Sequence, residues 1–192
     1  MTNLKYLFLV FLPALMLFNI SCSDHNNTDD IAMVDSMNTI LNNLKDTMRS
    51  GNIAEYRNIY DKVKENNIFF QSILFDMPED KEFRKKFFNY GVVDKTLKTF
   101  FSKLNSIKRE IEVAESQLKN LKHDIGHNLL SGEEINKYIN DELSVLDSIK
   151  EQLNIQFEKV SVQVKSYNDI HESIDEFKEN LKEEIAKERD NK

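Results

Sequence analysis

The chain has 192 residues, a net charge of −7, one cysteine, four glycines, two prolines and no tryptophan. A single thiol excludes a framework of internal disulfides, and the length suits one domain that buries its core without cross-links. Scarce turn residues among abundant Lys, Glu, Leu and Ile point to an all-α fold.

The chain opens with Met1, Lys5 and an apolar run from Tyr6 to Phe18, followed by Ile20, Ser21 and Cys22. A short basic start, roughly 7–15 apolar residues and a small residue before the cut are the marks of a secretory signal. Residues 1–21 therefore read as a lipoprotein signal peptide, with Cys22 as the lipidation site at the mature N-terminus, carrying palmitate or a similar acyl chain. A retained spanning helix needs about 20 apolar residues, and Pro13, Asn19 and Asp24 argue against one. Three positions before Cys22, Asn19 stands where a lipobox usually has an aliphatic residue. Residues 22–30 are polar and predict a flexible tether, leaving 31–192 as one α-helical domain. Removing Lys5 with the signal leaves 25 basic against 33 acidic residues, a mature charge of −8.

From Asp30 the residues Val34, Met37, Leu41, Leu44 and Met48 recur every three or four positions, the stripe of an amphipathic helix capped by Thr28 or Asp29 and stopped by Gly51. A second helix from Asn52 presents Ile53, Tyr56, Ile59, Tyr60 and Val63 until Asn66–Asn67 interrupts it. Ile68 to Phe75 fits helix or strand by pattern, and the helical context selects helix. Pro78 suits a first helical turn, Phe83, Phe87 and Phe88 line one side, and Gly91 supplies a stop.

The second half predicts an antiparallel helical hairpin. Leu97, Phe101 (or Phe100), Leu104, Ile107, Ile111, Ala114, Leu118, Leu121 and Ile125 keep a heptad over a helix from Asp94 to Leu130. Ser131-Gly132-Glu133-Glu134 offers a turn and a capping box. The partner stripe is Ile135, Ile139, Leu146, Ile149, Leu153, Phe157 (or Gln156), Val160 and Val164. Ser166-Tyr167-Asn168-Asp169 carries a second capping pattern, so periodicity alone leaves open whether this helix bends back or runs on through Ile170, Ile174, Phe177, Leu181 and Ile185.

Few residues carry catalytic chemistry. His123 and His127 stand at i and i+4, a zinc-chelating spacing, but the heptad puts both on the solvent side and no third ligand is signalled; no metal or other cofactor is expected. Charge is more informative. Between residues 81 and 109, Lys81, Arg84, Lys85, Lys86, Lys95, Lys98, Lys103, Lys108 and Arg109 meet only Glu82 and Asp94, a local charge of +7 in a mature chain that is otherwise −15. Such a patch attracts polyanions such as sulfated polysaccharide, nucleic acid or an acidic protein face; the alternative is a solvated face, or lysines paired with the acidic C-terminal helix. Lys81, Arg84, Lys85, Lys86, Lys95 and Lys98 are the candidate partner-binding residues.

The signal ending Phe18-Asn19-Ile20-Ser21-Cys22, the polar tether and the Lys/Asn/Ile-rich helical body resemble surface lipoproteins of Borrelia spirochaetes. Phe69-Phe70-Gln71-Ser72-Ile73-Leu74, then Pro78-Glu79-Asp80-Lys81 and the long hairpin, resemble the complement-regulator-acquiring surface proteins and their paralogues. The resemblance implies a helical bundle on the outer surface, in a group of which some members bind host complement proteins or other host factors and many have no known ligand. With the residues above, the expectation is a lipid-anchored outer-membrane protein at the cell surface that binds a host protein or glycosaminoglycan and is no enzyme. It carries over no ligand-binding motif. Nucleic acid is not an expected partner, and a homodimer is left open. The competing expectation is an envelope structural or assembly protein facing the periplasm. Because multiple acyl chains anchor firmly where one does not, the wild type is expected to partition into detergent and Cys22→Ala into water; equal detergent partitioning of the two would refute lipidation.

Overall fold

A computed structural model describes residues 27–49, 52–73 and 79–190. Cys22, the signal segment, the tether up to residue 26, Gly51, Leu74, Phe75 and Pro78 lie outside the described residues. The described chain is all helical: α1 (Asn27–Met48), α2 (Asn52–Ser72), α3 (Lys81–Gly126) and α4 (Gly132–Asp190).

Four of the nine residues assigned to the tether, 27–30, belong to the first turn of α1. The reason is partly local and partly tertiary. Asp29 and Asp30 sit at the positive end of the helix dipole. The Asn27 amide nitrogen donates to Ile125 O at 3.0 Å and to Asn128 Oδ1 at 2.6 Å, tying the start of α1 to the end of α3.

α3 and α4 form the predicted antiparallel hairpin. With 46 and 59 residues, they are about 69 and 88 Å long at 1.5 Å per residue. Leu97, Leu104, Ile111, Leu118 and Ile125, seven apart, are all buried, and the seam extends one heptad upstream through Tyr90 and Val93. Phe100 and Phe101 are both buried, so neither displaces the other from the seam. Gly91 therefore does not stop the helix. A glycine inside a helix costs only about 1 kcal/mol, and the packed residues on either side of it, Tyr90 and Val93, exceed that.

The long helix ends earlier than its predicted Leu130. His127 N–H donates to His123 O at 3.1 Å, Asn128 takes the left-handed conformation at φ 53°, and Leu129 N–H reaches back to Asp124 O at 2.9 Å. Asparagine tolerates that conformation better than most side chains. Ser131 then caps α4 as expected: Glu134 Oε2 accepts from the Ser131 amide at 2.9 Å and from its hydroxyl at 2.8 Å. The Ser131 amide, and after it the hydroxyl, holds the Glu134 carboxyl below the usual range.

α4 runs unbroken through Ser166–Asp169. Tyr167 is the next residue of the apolar stripe, buried with its ring 6.1 Å from Tyr90 and stacked 4.7 Å from His171. Packing there outweighs the local capping option.

α1 and α2 run end to end along the groove between α3 and α4. α1 lies against the C-terminal half of α3 through Lys45–Glu115 (2.6 Å) and Lys122–Asp35. α2 continues along the N-terminal half, with Tyr56 on Phe100 (5.6 Å), Phe70 on Phe87 (5.3 Å) and Phe70 on Phe177 (6.0 Å). Asn66–Asn67 does not interrupt α2. Asn66 is buried instead: its amide nitrogen donates to Tyr90 OH (2.9 Å) and Asp175 Oδ1 (2.6 Å), and its oxygen accepts from Lys178 Nζ (2.8 Å). Lys178, itself buried, also reaches Glu65 at 2.9 Å.

Leu118 is fully buried in the α3 seam. Leu118→Ala is expected to cost about 2–5 kcal/mol, the range for emptying a packed leucine site. Chemical denaturation checks this, and an unchanged midpoint would show that the seam is not the stability core.

Candidate functional site

α3 begins at Asp80, whose side chain accepts from Glu82 N–H at 2.9 Å. Helical geometry then sorts the basic segment. Lys81, Arg84, Phe88, Lys95, Thr99 and Lys103 follow one another at steps of three, four, seven, four and four, so they share one side of α3, with Lys85 at its border. All seven are exposed, Phe88 by 71%. The opposite side holds Tyr90, Val93, Leu97 and Leu104 in the seam. Glu82 and Asp94, the acids of the segment, each lie one residue off the row, about 100° around the helix. The row is therefore cationic and uninterrupted by carboxylates.

The candidate residues separate in space. Lys81, Arg84, Lys85 and Lys95 stand together on this face, and Lys98 is exposed beside it. Lys86 departs from them: it turns toward the seam, half-buried, and its Nζ donates to Ser173 Oγ on α4 at 3.0 Å. Lys86 therefore stands apart from the other candidates, because three consecutive helical residues, about 100° apart, cannot share one face.

Pairing with the acidic C-terminal helix does not account for the row. Among the described residues, the ammonium groups of Lys81, Lys85, Lys95, Lys98 and Lys103 hold no ion pair, whereas Lys45, Lys122 and Lys178 reach across to carboxylates on other helices. Where α4 approaches, Lys95, Lys103 and Lys159 border a shallow cleft of about 260 Å³ with Thr96, Thr99 and Gln156; every charged residue lining it is a lysine. Lys159 lies outside the 81–109 charge run. No pattern along the chain finds it; the antiparallel packing brings it there, with Phe157 5.4 Å from Phe100 and Lys159 beside Thr99. A longer groove of about 410 Å³ adjoins, lined by Ile155, Glu158, Val162 and Gln163.

His123 and His127 are exposed and stack at 4.1 Å, with His127 Nδ1 2.8 Å from the His123 carbonyl and His123 Nδ1 3.1 Å from Asp124. Among the described residues no group of three His, Cys, Asp or Glu could hold a metal ion. Glu142 occupies a position of the α4 apolar stripe and borders a cleft with Asp124 and Tyr138; burial first, and the neighbouring Asp141 second, push its carboxyl up. No described helix is long and apolar enough to cross a membrane.

No protein-family model, curated protein or solved structure matches this chain.

A carboxyl raised on folding stabilises the protein below its unfolded value and loses that contribution as pH climbs through the folded one. Glu142 is raised from 4.5, so Glu142→Gln should become progressively more stable than wild type as pH rises above about 4.5. Parallel melting curves from pH 4 to 7 check this; a constant offset between the two proteins would place the Glu142 carboxyl in water.

Proposed function

We propose that this protein is a lipid-anchored recognition rod of a bacterial outer surface, held by acylated Cys22, that binds an acidic or polyanionic host partner through the outward face of α3 and does no chemistry. The observation that carries the reading is the face itself. Among the described residues, Lys81, Lys85, Lys95 and Lys103 project without carboxylate partners from a chain whose net charge is −7. A cluster of one sign on a molecule of the other sign steers oppositely charged partners and rejects like-charged ones.

Its position deepens the argument. Lys81, Arg84 and Lys85 sit in the first turns of α3, at the positive end of the helix dipole, where cations are unfavourable by about 0.3–1 kcal/mol each. A residue choice that opposes local stability, and that no ion pair among the described residues offsets for Lys81 and Lys85, is what a binding surface requires. The signal-like segment before Cys22 and the resemblance to spirochaete surface lipoproteins support the location. The competing reading, a periplasm-facing assembly protein, is separated by protease treatment of intact cells, which cuts only an outward-facing rod.

Lys81→Gln/Arg84→Gln/Lys85→Gln removes three charges with little change in helix propensity. Host serum and matrix components captured by wild type should be lost from this variant, and capture should weaken as salt rises, because exposed charges act over only about 8 Å at physiological ionic strength. A host component held equally by both proteins at low and high salt would place recognition elsewhere on the rod.

A further inference from the structure

The cations of the α3 face fall into two groups. Lys81, Arg84 and Lys85 occupy the first turns, and Lys95 and Lys103 follow, joined across the seam by Lys159. Lys81 and Lys103 are about 33 Å apart along the axis at 1.5 Å per residue. Between the groups the face carries no charge. It presents Phe88, 71% exposed, and Gly91, whose missing side chain would meet nothing within 4 Å. Neither residue serves the fold. Phe88 is the most exposed large apolar side chain of the described chain, and a glycine in a helix interior is weaker than alanine where nothing crowds the Cβ.

We infer that this face is a docking track for a linear sulfated polysaccharide, its sulfates seated on the two cation groups and one sugar ring lying against Phe88 over the bare backbone at Gly91. The assignment rests on the recognition role proposed above and narrows it to one chemistry. The track is long and narrow, running along α3 with only Gln156 and Lys159 of α4 at its edge, the shape of an extended polyanion and not of a globular partner's patch. Five of its six cations are lysines, point charges on flexible stems that can follow sulfates along a chain without a fixed fork geometry. Thr96, Thr99 and Gln156 line the lysine cleft with polar groups for hydroxyls. A single aromatic ring flanked by bare backbone fits one sugar face. It is too little apolar surface to seat an amphipathic helix, which needs several anchors, or to enter a membrane. It is also too few rings to stack a run of bases.

The test measures binding of long heparin chains, a sulfated disaccharide, unsulfated heparosan and polyglutamate to the full chain. Long heparin should bind with an affinity that falls as salt rises, while the disaccharide, too short to span both groups, and heparosan should bind far more weakly. Lys95→Gln/Lys159→Gln should lose roughly tenfold in heparin affinity and flatten its salt dependence. Phe88→Ala should weaken binding without altering that dependence, and Gly91→Gln should weaken binding while raising the melting temperature. Lys62→Gln/Lys64→Gln on α2 should change nothing. Equal binding of heparin and polyglutamate, or heparin binding indifferent to Phe88, Gly91 and Lys159, overturns the polysaccharide assignment and leaves the acidic-partner reading standing. Failure of every polyanion to bind overturns both.

Discussion

Everything in this molecule is arranged on the antiparallel seam between α3 and α4. The tight connection from His127 to Ser131 permits only neighbouring, oppositely directed helices, and the left-handed Asn128 with the Ser131–Glu134 cap fixes where each begins and ends. From that turn the two stripes close without a slip, from Ile125 and Ile135 at one end to Phe83 and Phe177, 4.5 Å apart, at the other. Two helices leave a groove along their seam, and α1 and α2 fill it in turn. The lower half is sealed by Val34, Met37, Leu41 and Leu44, and the upper by Tyr56, Ile59, Val63 and Phe70.

An apolar seam this regular could slide by a turn with small loss. Polar groups buried inside it prevent that. Asn66 uses both amide hydrogens and its oxygen at once, on Tyr90, Asp175 and Lys178. Moving α2 by one turn would strand the Lys178 ammonium, and an uncompensated buried charge costs about 3–5 kcal/mol. The ring of Phe69, 5.7 Å from Lys178 Nζ, and Glu65 complete the ammonium's surroundings. Burial pushes the Tyr90 phenol up, against the Asn66 hydrogen bond that lowers it. The phenol thus stays neutral and remains an acceptor for Asn66.

The surface follows a different logic at its two ends. Along α1, lysine and aspartate reach across helices and help dock α1 on α3, as in Lys45–Glu115 and Lys122–Asp35. Such exposed pairs contribute at most about 1 kcal/mol each, so their value lies in orientation. Along the first half of α3, Lys81, Lys85, Lys95 and Lys103 stand outward, while Lys86 turns to the seam and donates to Ser173. One helix thus spends one side on the core and leaves the other, with its cations, exposed. The register brings Lys159 to the row as a by-product of packing.

Sequence periodicity by itself determined the all-α class, the long hairpin, its turn and most of its core, because a heptad of apolar residues and a Ser-x-x-Glu cap are local patterns with one physical reading. It also located the basic segment. Only the tertiary structure decided how far each helix runs. Gly91, Asn66–Asn67 and Ser166–Asp169 each carry a local preference to end a helix worth about 1 kcal/mol. Each is overridden by neighbours that the seam buries: Tyr90 and Val93, the Asn66 network, and Tyr167. Likewise no pattern along the chain could separate Lys86 from Lys85 by its partner, or join Lys159 to Lys95 and Lys103. Those relations exist only between helices, where geometry and not sequence distance sets which charges meet.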